Sequence, residues 1–282
     1  PTGTPTPTPS PTAVAYTTSE TALQYTTTGQ RVANAQSVAP AMGGVFGFDP
    51  AQNGYVYTLL NGTVNPTPSE TVIFTPATSK TCDLALTPAL CFGGGFVFQQ
   101  VPAGTGNFFM SRFLAGPGNP LLVLSFTSFG TFQEAILDSA ATSRFDLRPF
   151  AYGVTSPAGA IPTTGTATFN GVIIGQATGN KVAATGTSNV YKLTGTSQLV
   201  LNYAAGTATL KLTIHGDAVG CTTCSPDINV TYDSTAGTLA SGVLTFTLPG
   251  GGPAKYFLAG GAAATTGTNA TAAIPPTEVA GS

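Results

Sequence analysis

Few side chains in this 282-residue chain could carry acid–base, metal or thiol chemistry: one histidine, eleven acidic residues and four cysteines. General acid–base catalysis needs titratable groups gathered within hydrogen-bonding reach. The carboxylates here are scattered over the whole length, and none is paired at a spacing suited to that work. His215 ends an alternating run on its polar side, the position of a solvated side chain rather than of a base or metal ligand. Asp217, Asp227 and Asp233 follow no calcium-loop spacing and read as turn residues. Gly93-Gly94-Gly95 lacks the Lys-Ser/Thr and helix signal of a phosphate loop and reads as a flexible, aromatic-rich loop. The expectation is a protein that is not an enzyme and uses no cofactor or metal.

The cysteines fall as two close pairs, Cys82 with Cys91 and Cys221 with Cys224. That even, local arrangement predicts disulfides outside the cytosol. The rival is a four-thiolate zinc site, which wants both pairs at C-x2–4-C spacing, whereas Cys82 and Cys91 stand farther apart. A thioredoxin-like role for Cys221-Thr222-Thr223-Cys224 fits less well, because that chemistry places the first Cys at a helix N-terminus. Here the pair sits between strand patterns, ahead of the turn Ser225-Pro226-Asp227. Pro1 in place of an initiating Met fits a removed leader or a start inside a longer chain, and both fit secretion.

For binding chemistry the chain is better supplied. Of its 17 Phe residues, all but Phe169, Phe246 and Phe257 lie between Phe46 and Phe150. Phe92, Phe96, Phe98, Phe108, Phe109 and Phe113 crowd into a segment broken by Gly93–Gly95 and by Pro102–Gly106. Adjacent Phe108 and Phe109 point to opposite faces of an extended segment. If one face is solvated, one of them is a surface aromatic, a favoured binding anchor. These six are the candidate ligand-binding residues; the other reading is a two-sided sandwich that buries every one.

Composition narrows the partners. The chain is 42% hydrophobic but 7% charged, against about 25% charged in an ordinary globular protein. Its surface is therefore covered by Thr, Ser, Asn, Gln and Gly, and little charge repulsion keeps neighbours apart. A net charge of −2 without any Lys/Arg cluster argues against nucleic acid as a partner. No apolar run approaches the ~20 residues of a transmembrane helix.

These residues must be positioned by β-structure. Residues 1–13 are a Pro/Thr spacer, and the linker is assigned to residues 1–20. From Ala22 onward short β-branched and aromatic runs alternate with Gly, Pro, Asn and Asp, and only Phe132–Ser139 reads as a short helix. In Thr207–His215, Ala208, Leu210, Leu212 and Ile214 point one way and the polar residues the other. Gln198–Tyr203 pairs with it across Ala204-Ala205-Gly206, and Val243–Leu248 repeats the pattern with Leu244, Phe246 and Leu248 inward. Pro and Gly crowd at residues 149–162 as at a domain boundary. The expected fold is all-β: an irregular, Phe-rich, sandwich-like domain over residues 21–155, then an antiparallel up-and-down β-barrel of about eight strands over residues 156–282.

Leu121–Gly130, Phe150–Gly153 and Ile161–Gly175, followed by Tyr191–Tyr203 with Ala205–Thr207 and by Pro276–Ser282, form a series that resembles the transferrin-binding protein B-like family of bacterial surface proteins. In that family an apolar strand ending in aromatic-Thr-Ser-Phe-Gly leads through a Tyr-Gly turn to a P-x-x-G-x-A-x-aromatic-x-G strand. That strand opens the C-terminal barrel, and a Glu-x-x-Gly strand closes it. The likeness spans roughly residues 45–282. It departs after Tyr256–Gly260, where a long Ala/Gly/Thr insertion replaces the family's aromatic-Tyr-Gly-Pro run.

The resemblance implies a secreted, often lipid-anchored surface lipoprotein on the outer membrane of a Gram-negative cell. Such a protein binds a protein or nutrient ligand and works beside a TonB-dependent outer-membrane receptor. Family binding sites lie on variable loops, so none carries over to a residue here. The first expectation is thus a non-enzymatic, extracellular surface-binding protein. The alternative is a self-assembling structural subunit of an extracellular layer, filament or receptor-associated coat, motivated by the sparse charge.

Overall fold

Runs rich in Val, Ile, Thr and aromatic residues, which favour a pleated and half-buried backbone, fold into strands throughout; the described residues hold no α-helix. The computed structural model describes residues 14–26, 38–43, 46–58, 71–81, 90, 95–103, 106–114, 122, 124–139, 142–178, 190–218, 228–248, 253–259 and 276–281. Residues 1–13, the four cysteines and Phe92 lie outside them.

In chain order the strands are β1 (Val14–Ala15), β2 (Thr17–Thr26), β3 (Val38–Gly43), β4 (Phe46–Asp49), β5 (Gly54–Thr58), β6 (Thr71–Phe74), β7 (Phe96–Ala103), β8 (Gly106–Phe113), β9 (Thr127–Ser139) and β10 (Thr142–Gly153). The second half holds β11 (Thr166–Thr178), β12 (Val190–Asn202), β13 (Thr207–Ala218), β14 (Ile228–Ala240), β15 (Val243–Thr247), β16 (Pro253–Ala259) and β17 (Glu278–Gly281). They build a small sheet of order β1-β4-β5-β6, a central sheet β3-β2-β10-β9-β8-β7, and a nearly closed barrel sheet running β11 to β17 in sequence. The fold is all-β, a sandwich-like first half followed by an antiparallel up-and-down barrel, as its hairpins predict.

Two local expectations are corrected. Val14–Glu20, assigned to the linker, form β1 and the start of β2, and Glu20 is buried opposite Phe150. Phe132–Ser139 is not a helix but the second half of β9, laddered to β10 and, over Phe132–Ala135, also to β8. Its irregular apolar spacing reflects cover on both faces: Phe132 is buried on one side and Gln133 on the other.

The central sheet is the middle of that sandwich. On one face Phe108, Met110, Phe132, Phe150 and Tyr152 meet Phe46, Tyr57, Val72 and Phe74 of the small sheet. The Tyr57 ring stacks on Phe132 at 4.1 Å between centroids. On the other face Phe98, Phe109 and Leu147 form a second cluster with Leu90. Burying each such ring contributes about 1.5–3 kcal/mol.

The barrel keeps one wet face and one packed face. Leu199, Leu201, Tyr203, Ala208, Leu210, Leu212, Leu244 and Phe246 are buried inside it, with Ile214 and Leu248 packed against them. Gly206 makes the β12–β13 turn at φ +61, a left-handed backbone suited to glycine. The two halves are tied at their junction: Thr155 bridges Ala259, Ser156 N–H donates to the Leu258 carbonyl at 2.8 Å, and Ser19 Oγ–H donates to the Lys255 carbonyl at 2.9 Å.

Candidate cavity at the barrel gap

Among the described residues no ladder joins β11 to β17, so the barrel wall has a gap between its first and last strands. A cavity of about 520 Å³ opens there, within the range of small-ligand sites. Residues 168–174 of β11 and Thr277, Glu278 and Val279 line its sides. Leu199, Leu210, Leu212 and Tyr256 line it from the barrel interior. The opposite wall is the second face of the central sheet, with Thr21, Phe96, Phe129, Thr131, Pro149 and Ala151. Strand alternation explains the match: residues 129, 131, 149 and 151 all point away from the small sheet.

The lining is mainly apolar, with a few hydroxyls and amides to orient a guest. Among the described residues its one carboxylate is already engaged. Glu278 accepts hydrogen bonds from the backbone N–H groups of Ser125, Phe126 and Thr127 at 2.7, 3.1 and 2.8 Å, and from Thr127 Oγ1 at 2.7 Å. It thereby clamps β17 to the start of β9 across the junction. Burial pushes the Tyr256 phenol up to about 12, so it stays a neutral hydroxyl at physiological pH.

A second polar cluster lies between the small and central sheets. Arg148 holds Asp146 at 3.0 Å and Glu20 at 3.4 Å, and the Tyr57 hydroxyl donates to Glu20 at 2.5 Å. Burial raises the Glu20 carboxyl above its ordinary value, and the Tyr57 hydrogen bond and the Arg148 charge oppose that rise. These groups are sealed into the core, so they join the sheets and present no reacting surface.

His215 sits on the barrel exterior with its side chain 44% exposed, bonded to Asn229 Oδ1 at 2.8 Å and Asp217 Oδ1 at 2.9 Å. Among the described residues no three His, Cys, Asp or Glu side chains gather as a metal site needs. No helix among them is long and apolar enough to cross a membrane.

Of the six candidate phenylalanines, Phe108 is buried against the small sheet and Phe98 and Phe109 in the opposite cluster. Phe113 is fully buried, stacked on Phe129 at 4.6 Å. Phe108 and Phe109 do point to opposite faces, but both faces are covered, so neither is a surface anchor. Phe96 is half-buried, its ring edge-on to Phe113 and Phe129, and it alone of the described five reaches the cavity. The stretch 168–174, Phe129 and Glu278 escaped the sequence reading as site residues. Their role follows from where two strands fail to meet, which no residue type announces. No protein-family model matches the chain, and no curated protein matches it.

Proposed function

We propose that the chain is a non-enzymatic surface-binding protein of the transferrin-binding protein B-like kind, whose partner is held in the cavity at the barrel gap. One observation carries this reading: an apolar cavity whose walls come from both halves of the molecule. A site at such a junction gains affinity from apolar burial and orientation from a few hydroxyls. The order of a sandwich-like half followed by an antiparallel barrel supports the family part of the proposal, as does the closing strand that carries Glu278.

The test uses the purified full chain as bait on surface material of the source cell. Phe96→Ser and Thr168→Trp alter the cavity at a half-buried and an exposed position. Loss of the retained partner at unchanged melting temperature supports the reading, and retention by both variants contradicts it.

A self-assembling structural role is the second reading, favoured by the outer barrel wall, where exposed Thr196, Gln198, Thr209 and Thr213 carry no charge and Lys211 is paired with Asp233. Ordered arrays in electron micrographs of the native material would select it; monomers would favour binding.

A further inference from the structure

Among the described residues the barrel has six ladders, all antiparallel. Seven strands joined this way leave the first and last running in the same direction, so β11 and β17 could meet only as a parallel pair. A strand laid between them, opposite in direction to both, would complete an all-antiparallel barrel of eight, a number at which small barrels close around side chains. We propose that the gap is a strand-addition site, which takes an extended, uncharged segment of a partner polypeptide antiparallel to β11. The proposal rests on the binding reading above and names the chemistry of the partner.

Three observations carry it. First, β11 is laddered to β12 along Thr166–Thr178, and among the described residues its other edge has no ladder. Alternate N–H and C=O groups of that edge therefore point into the gap. Second, seven consecutive residues of β11 line the cavity, from both faces of the strand, so the space runs along its edge. A guest strand would send alternate side chains toward Leu199 and Leu210 inside the barrel, and toward Phe129 and Ala151 of the central sheet. Third, residues 166–178 carry no charge, and the carboxylate of Glu278 is taken by its own donors. A charged guest residue would be desolvated there without a partner. A small apolar molecule would fill the space but leave the edge amides unpaired.

The experiment displays random nonapeptides to the full chain, then measures affinity for one enriched synthetic peptide. The enriched sequences are expected to be uncharged and apolar on both sets of alternate positions, because both faces of the guest are covered. Val172→Lys should weaken binding at least tenfold, while Val200→Lys, an exposed position of β12 outside the cavity, should not. If Val172→Lys lowers the melting temperature, Asn170→Lys at the exposed rim replaces it. N-methylation removes one backbone donor at a time, so it should abolish binding at the alternate positions whose N–H faces β11 and weaken it less at the positions between, whose N–H faces the four-residue β17. A flat N-methyl series, no enriched peptide, or equal binding by the lysine variants overturns strand addition. So does a concentration-dependent dimer that Val172→Lys dissolves, which would make the guest a second copy of the chain. Should partner capture still depend on Phe96 and Thr168 while the N-methyl series is flat, the cavity reading stands and strand addition alone fails.

Discussion

The sandwich and the barrel solve the problem of covering a sheet in different ways. The central sheet is covered on both faces, so it spends aromatic rings on each side and buries Glu20, Asp146 and Arg148 among them. The barrel covers one face only and does so with Leu, Ala and Ile on alternate positions, leaving Thr, Lys and Gln outside. In the sandwich, then, polar residues are part of the core, whereas on most barrel strands they mark solvent. The cavity lies where the two solutions meet, against a wall of each.

The largest expected effect breaks the barrel side of that contrast. Leu212 is 6% exposed, and Leu212→Asp buries an unpaired charge, so the C-terminal half should lose more than about 4 kcal/mol and fail to fold by circular dichroism. On the sandwich side, Phe108→Ser and Phe109→Ser should each cost about 3–5 kcal/mol in denaturant unfolding, because both faces of β8 are core. A variant left at full stability would show that one face of the central sheet is open.

Arg148→Met belongs to the same range, about 3–5 kcal/mol, since it strands two buried carboxylates. The pH dependence sharpens this. Burial holds Glu20 above its ordinary 4.5, so between that value and the raised folded value the native state binds more protons than the unfolded chain. Stability therefore falls as pH rises through that window, and Glu20→Gln should remove that part of the slope in melts taken at successive pH values. Smallest is Lys211→Asp. It breaks a bridge to Asp233 whose partners are both more than half exposed and should shift stability by less than about 1 kcal/mol.

The contrast also decides what could be read beforehand. Thr207–His215 announces its register because only one of its faces is buried, and each of its four inward residues is where alternation put it. Phe132–Ser139 misled because a strand covered on both faces has no period of two, and Phe132, Ala135 and Ile136 mimic helical spacing. The Glu20–Arg148 pair joins residues 128 positions apart, beyond any local pattern. Glu278 could be seen as a closing strand's glutamate, yet its partners are mostly backbone amides, which any sequence supplies. The cavity depended on strand parity, a property of the whole sheet.

Hydrogen exchange in the free protein tests the open gap most directly, by comparing residues 166–178 of β11 with residues 190–202 of β12. β12 is laddered on both sides and, among the described residues, β11 on one, so alternate amides of β11 should exchange markedly faster than those of β12. Equal protection along both strands would mean that the barrel is already closed at β11, and would contradict a binding site there.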